Sequence, residues 1–164
     1  MKSRIEVYPL LDNVVFGTVL LPGTPITPTE FDDWHRDSTS ALCNRSNRLV
    51  VGWAVKMLNV YLKTAAYVGD LGRPGLRDVL HPPIDGGLWS GLSELAASPK
   101  RKVSPEVLAR LLQLNGPING ITDYPAYLQI ITACRNVALG EGCSLIELEQ
   151  FWLGSATPPS EPGA

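Results

Sequence analysis

RSNRLVVGWAVKMLNVYLKTAAYV, residues 45–68, decides the fold. It holds no proline, and its apolar side chains recur at helical spacing. The pattern predicts a helix over about 46–68, capped by Ser46 or Asn44. On a helical wheel Val50, Trp53, Ala54, Met57, Leu58, Tyr61, Ala65 and Val68 share a broad apolar arc. Arg45, Arg48, Gly52, Lys56, Asn59 and Lys63 fall opposite, a stripe whose commonest meaning is a solvated face. Gly52 in mid-helix costs ~1 kcal/mol against alanine, which close approach by another group would explain.

Towards the N-terminus the helical pattern fades. Val14, Val15, Phe16, Val19 and Leu20 are β-formers around Gly17, so residues 4–21 predict a short hairpin or extended arm. LPGTPITP (21–28) interrupts any regular element, and Thr27-Pro28-Thr29-Glu30 then starts a helix with a capping box. That helix should reach about Cys43, with Phe31, Trp34 and Leu42 inward.

Towards the C-terminus, residues 69–83 read as a broken connection rich in glycine and proline. Asp85 is placed to cap GGLWSGLSELAA. Ser104-Pro105-Glu106 opens a helix over 105–114, and Thr122 or Asp123 opens one to about Leu139, stopped by Gly140. Ser144–Glu147 forms a second capping box before a short helix through Trp152. The sum is a mainly α single domain over 1–154: a compact bundle of five to six helices with a short N-terminal β-hairpin or extended arm. Residues 155–164, SATPPSEPGA, read as a disordered tail.

Composition limits the function. A chain of 164 residues with 45% hydrophobic residues can bury a core. Net charge is −2 and the isoelectric point is near 5.6, so any affinity for nucleic acid must come from a local basic face. No apolar run is long enough for a membrane span, and Glu6, Pro9, Asp12 and Asn13 break the N-terminal apolar run, against a cleavable signal. Cys43, Cys134 and Cys143 are odd in number and lack CxxC spacing, which fits thiols of a reducing cytoplasm. No P-loop, dinucleotide glycine motif or Ser-His-Asp pattern occurs. His35 beside Asp32 and Asp33, and His81 four residues before Asp85, fall short of the converging ligands a metal needs. No metal and no cofactor are expected, and two lone histidines are most simply surface or capping groups.

Lys56 and Asp85 carry the chemical interest. A lysine half-buried among apolar groups can have its amine made nucleophilic by desolvation. A carboxylate at a helix N-terminus stays ionised and can steady a developing cation or take a proton. Trp53, Asn59, His81 and Trp89 are candidate pocket residues beside this pair. The aromatic ones are also ordinary core side chains at helical spacing.

GWAVKML (52–58) followed by HPPIDGGLW (81–89) resembles the lysine helix and the Pro-x-Asp helix start of helix-hairpin-helix DNA glycosylases, with the archaeal 8-oxoguanine type nearest. The likeness spans about residues 45–92. It implies a base-excising, DNA-binding protein in which Lys56 matches the Schiff-base nucleophile and Asp85 the catalytic aspartate. Arg45, Arg48, Lys63, Lys100, Arg101 and Lys102 would then meet phosphate. The same segment is also similar to small uncharacterised bacterial proteins, which imply no activity. The alternative reading is a non-catalytic helical module that binds a protein partner or small ligand, with Asp85 only a cap.

Overall fold

The computed structural model describes residues 9–46 and 49–154. Among these residues there are helices and turns and no strand. The helices are α1 (Gly17–Leu20), α2 (Pro28–Arg45), α3 (Val51–Leu62), α4 (Leu76–Val79), α5 (Gly86–Ala97), α6 (Pro105–Leu112) and α7 (Tyr124–Glu141). Two 3₁₀ turns, Ile118–Gly120 and Ile146–Phe151, complete the set, and α3 widens into a π-type turn over Lys63–Val68.

Local signals start most helices where the sequence places them. Thr27 accepts from the Glu30 N–H at 3.2 Å, Asp85 from Leu88 at 3.1 Å and Asp123 from Ala126 at 2.8 Å. Ser104 caps α6 through Val107. Pro28, Pro105 and Pro125 lie in first turns, where a missing N–H costs nothing. Helix α7 runs past Gly140 to Glu141, because Gly142 is the residue that takes the left-handed cap conformation (φ 73°).

Two expectations about the course of the chain are corrected. The described part of the expected hairpin, residues 9–21, is helical turn followed by α1. There the Asn13 amide donates back to the Leu10 carbonyl, while Phe16 packs on Trp34 and Tyr61, so local bonding and tertiary contact override β-propensity. Residues 1–8 and the expected tail, 155–164, lie outside the described residues. The central helix begins at Val51 rather than Ser46. Its second amide, Gly52 N–H, is satisfied by Ile121 O at 3.0 Å instead of by an earlier turn, and Leu49 is buried.

The inward face of α3 is also rotated from the expected one. Gly52, Ala54, Val55, Leu58, Asn59 and Leu62 are buried, whereas Trp53, Val60, Tyr61 and Val68 are exposed. This face makes α3 the shared wall of three apolar clusters. Val55 joins Leu88, Leu92, Leu108, Leu111 and Ile131; Leu62 and Ala66 join Phe31, Leu76 and Leu80; Ala54 and Leu58 join Leu42 and Leu49. Gly52 permits it. A Cβ there would collide with the Ile118 carbonyl of the 118–120 turn.

Gly52→Ala should therefore destabilise despite alanine's better helix propensity. A loss of about 1–3 kcal/mol is expected for overpacking of this kind, read as a lower urea midpoint at unchanged slope. A midpoint at or above that of the wild type would show that the 118–120 turn yields freely.

Candidate functional site

Lys56, one turn into α3, and Asp85, at the start of α5, come together. Lys56 Nζ is 3.2 Å from Asp85 Oδ2, with both side chains roughly a quarter exposed. The aspartate is held from three sides. Its Oδ1 accepts from the Leu88 N–H and, at 2.9 Å, from the Trp152 indole N–H. Partial burial works to raise its pKa, but these two bonds and the Lys56 ammonium prevail, so the carboxyl lies below its ordinary value. Pro82 and Pro83 stiffen the approach to it.

The pair opens into a cavity of about 620 Å³ whose wall includes Trp89, Ser90, Ser93 and the turn at 115–118. Asp85 also borders a second hollow of about 320 Å³, lined by Lys63, Thr64, Glu149 and Trp152. Of the four expected pocket residues, Trp89 lines the larger cavity. Trp53 stands beside it: its indole donates to Asn119 at 2.6 Å, and Lys56 Nζ lies 5.6 Å from its ring. Asn59 and His81 do not line it; both are buried in the core.

Those two belong to a polar network that sequence reasoning missed. Asn59 Oδ1 lies 2.9 Å from His35 Nε2, while its Nδ2 donates to the Pro82 carbonyl at 3.1 Å and the Tyr127 hydroxyl at 2.9 Å. Tyr127 OH is 3.0 Å from His81 Nδ1, and His81 Nε2 is 2.9 Å from Asp32 Oδ1. Arg135 donates to both Asp32 oxygens at 2.8 and 2.9 Å, and Tyr124 OH lies 2.9 Å from His35 Nδ1. Assigning protons by satisfaction of every partner gives one direction: His35 Nε2–H to Asn59, Asn59 to Tyr127, Tyr127 O–H to His81 Nδ1, His81 Nε2–H to Asp32. Both imidazoles are neutral in this arrangement. Burial, joined by the neighbouring His81, pushes His35 down to about 3, and burial lowers His81 despite Asp32. Burial would raise Asp32, yet its bonds from His81 and Arg135 hold it at about 2.

The expected basic face is largely committed to the protein itself. Lys63 pairs with Glu149. Arg101 donates to the Ala96 and Ser98 carbonyls at the end of α5, and Lys102 contacts Glu141 through its backbone N–H and its amine. Arg45 and Lys100 are exposed, and Arg48 lies outside the described residues. The buried Cys134 thiol is pushed up to about 12 by desolvation, which removes it as a nucleophile. No group of three or more His, Cys, Asp or Glu side chains among the described residues converges as a metal site. No helix among them is long and apolar enough to cross a membrane.

Neither family models, curated proteins nor solved structures give a significant match to this chain. The chemistry of the site is therefore read from its own atoms.

The network gives stability a definite pH sign. His35 and His81 are neutral when folded but gain protons in the unfolded chain below about pH 6.5, so stability falls as pH drops from there towards about 3. Asp32 and Asp85, lowered in the fold, add a further loss below about 4, in the same direction. Denaturant titrations at pH 7.5, 6 and 5 should give steadily lower midpoints; equal midpoints at pH 7.5 and 5 would contradict neutral buried histidines.

Proposed function

We propose that this is a glycosylase-like, nucleic-acid-binding protein that excises a damaged base through Lys56 and Asp85. The supporting observation is the 3.2 Å approach of Lys56 Nζ to Asp85 Oδ2 at the mouth of a cavity. In the reaction the Lys56 ammonium first gives a proton to solvent, and Nζ, with its electron pair free, attacks the anomeric carbon. The glycosidic C–N bond breaks, its electron pair leaves with the base, and solvent protonates that base. The proton that Nζ sheds passes to Asp85; the nitrogen pair then expels the ring oxygen, which leaves with the C–O electron pair and takes that proton from Asp85, so the opened sugar is held as a protonated imine on Lys56. Trp89 supplies an apolar ring in the cavity wall, and Ser90, Ser93 and Asn115 supply polar groups suited to a base edge. Phosphate contact falls first to the exposed Arg45 and Lys100. Engagement by Lys63, Arg101 or Lys102 requires exchange of their present partners.

One observation favours a second reading, a non-catalytic module that binds a protein partner or small ligand. Both Asp85 oxygens are already used, by Leu88, Trp152 and Lys56, as a helix cap with an ion pair would use them.

Borohydride trapping with duplexes carrying 8-oxoguanine or an abasic site separates the two. Glycosylase chemistry predicts a covalent adduct in the wild type, its absence in Lys56→Gln, and a rate reduced roughly 10²–10⁴-fold in Asp85→Asn, the usual scale for losing a proton acceptor. No adduct, together with no salt-dependent DNA binding, would overturn that reading and leave Asp85 a cap.

A further inference from the structure

The polar network and the Lys56–Asp85 pair share a backbone. His81 is a member of the network, the Pro82 carbonyl is bound by Asn59, and Asp85 follows within the same short segment. Asn59 lies one turn beyond Lys56 on α3, so a single amide ties the lysine helix to the strand of chain that delivers the aspartate. We propose that Asn59, Tyr127 and His81 are positioning residues for the Lys56–Asp85 pair, and that a proton taken up by His81 releases segment 81–85 and separates the pair. The consequence for catalysis rests on the amine–carboxylate reading above; the coupling itself does not.

The direction of the hydrogen bonds makes His81 the weak point. Its Nδ1 accepts the Tyr127 hydroxyl proton, and Tyr127 in turn accepts from Asn59. A proton added at Nδ1 faces Tyr127 as a second donor, and the hydroxyl hydrogen must turn away from both. Among the described residues that hydroxyl has no hydrogen-bond partner besides Asn59 and His81, so a buried donor would be orphaned, at a cost of ~1–3 kcal/mol. The charges around His81 do not offset this. Asp32 from α2 already receives Arg135 from α7 at both oxygens, and the Arg135 guanidinium lies 3.2 Å from His81 Nε2. The His35 ring, also from α2, lies tilted with its centroid 5.0 Å away, and Tyr127 and Tyr124 from α7 close the remaining side of that pair. His35 is the less sensitive member, because Tyr124 OH can accept at its Nδ1 and donate to the Asp32 carbonyl, 3.1 Å away.

Trp152 and Leu88 report the outcome without any substrate. Both donate to Asp85 Oδ1, so movement of segment 81–85 breaks both bonds. The test is a pH titration of the full chain from 7.5 to 4.5 by ¹H–¹⁵N spectroscopy with amide hydrogen exchange. This range stays above the titration of Asp85 itself, which is lowered in the fold. Below about pH 6.5, protection at Leu88 should fall by up to tenfold per pH unit, the slope for one proton taken up on opening. The Trp152 indole signal should shift over the same range while core amides of α7 keep theirs. Tyr127→Phe, which retains the ring but removes the hydroxyl, should show the shifted Trp152 signal already at pH 7.5. The proposal is overturned if Leu88 and Trp152 hold until the whole chain unfolds, or if they respond only below pH 4. A coupled titration without a trapped adduct would count against the glycosylase reading alone, and an adduct without the coupling against this inference alone.

Discussion

Asn59 is a primary amide with almost no access to water, and the fold has to supply its partners. It does so from three directions: a histidine on α2, a tyrosine on α7 and the carbonyl of Pro82. An amide buried without bonds would cost several kcal/mol, whereas a satisfied one specifies a single arrangement of its neighbours. Apolar packing would tolerate small slides of α3 against α2 and α7; this set of bonds does not. Among the described residues no buried side-chain nitrogen or oxygen lacks a partner, so the specification is complete. The three apolar clusters that meet on α3 supply most of the burial, and the polar ring fixes their register.

That register places the candidate chemistry. Lys56 lies one turn before Asn59, and Asp85 follows the proline pair whose first carbonyl Asn59 holds. The ion pair is thus set by bonds made in the core rather than by the mobility of two surface side chains. Exposed ion pairs are worth at most ~1 kcal/mol, and this one sits at a cavity mouth where its geometry matters more than its contribution to stability. Trp152, arriving from the C-terminal turn, closes the other side of the carboxylate. Close packing there depends on Gly87 and Gly91, since a Cβ at either would strike the 151–153 segment.

Much of this was legible in the sequence, unevenly. Capping residues at Thr27, Asp85, Ser104 and Asp123 announced their helices because a cap is a local bond between residues three apart. The likeness around GWAVKML and HPPIDGGLW marked Lys56 and Asp85 as a pair, and they do meet. The face of α3 was misjudged because Asn59 reads as polar surface when its three partners are distant in sequence, and Gly52 reads as a weak spot rather than a docking point. The histidines read as surface or capping groups for the same reason: nothing near His35 or His81 in the chain foretells Tyr127 or Arg135. Trp152 was legible as the end of the last short helix, but its bond to Asp85, 67 residues earlier in the chain, was not. The N-terminal segment misled because Val14, Val15 and Val19 favour strands locally, while the burial of Val14 and Val19 against α2 and α3 is a tertiary matter.

The claim that the core holds Asp85 against Lys56 is tested most directly at pH 7.5 by a double-mutant cycle of Lys56→Met and Asp85→Asn on unfolding stability, run with Tyr127 intact and again in Tyr127→Phe. The account predicts a favourable coupling between the two side chains, 3.2 Å apart, that shrinks in Tyr127→Phe, because loss of the hydroxyl loosens the segment that presents the carboxylate. A coupling of equal size in Tyr127→Phe would show that the pair forms without the network, and no coupling with Tyr127 intact would show that the pair does not form.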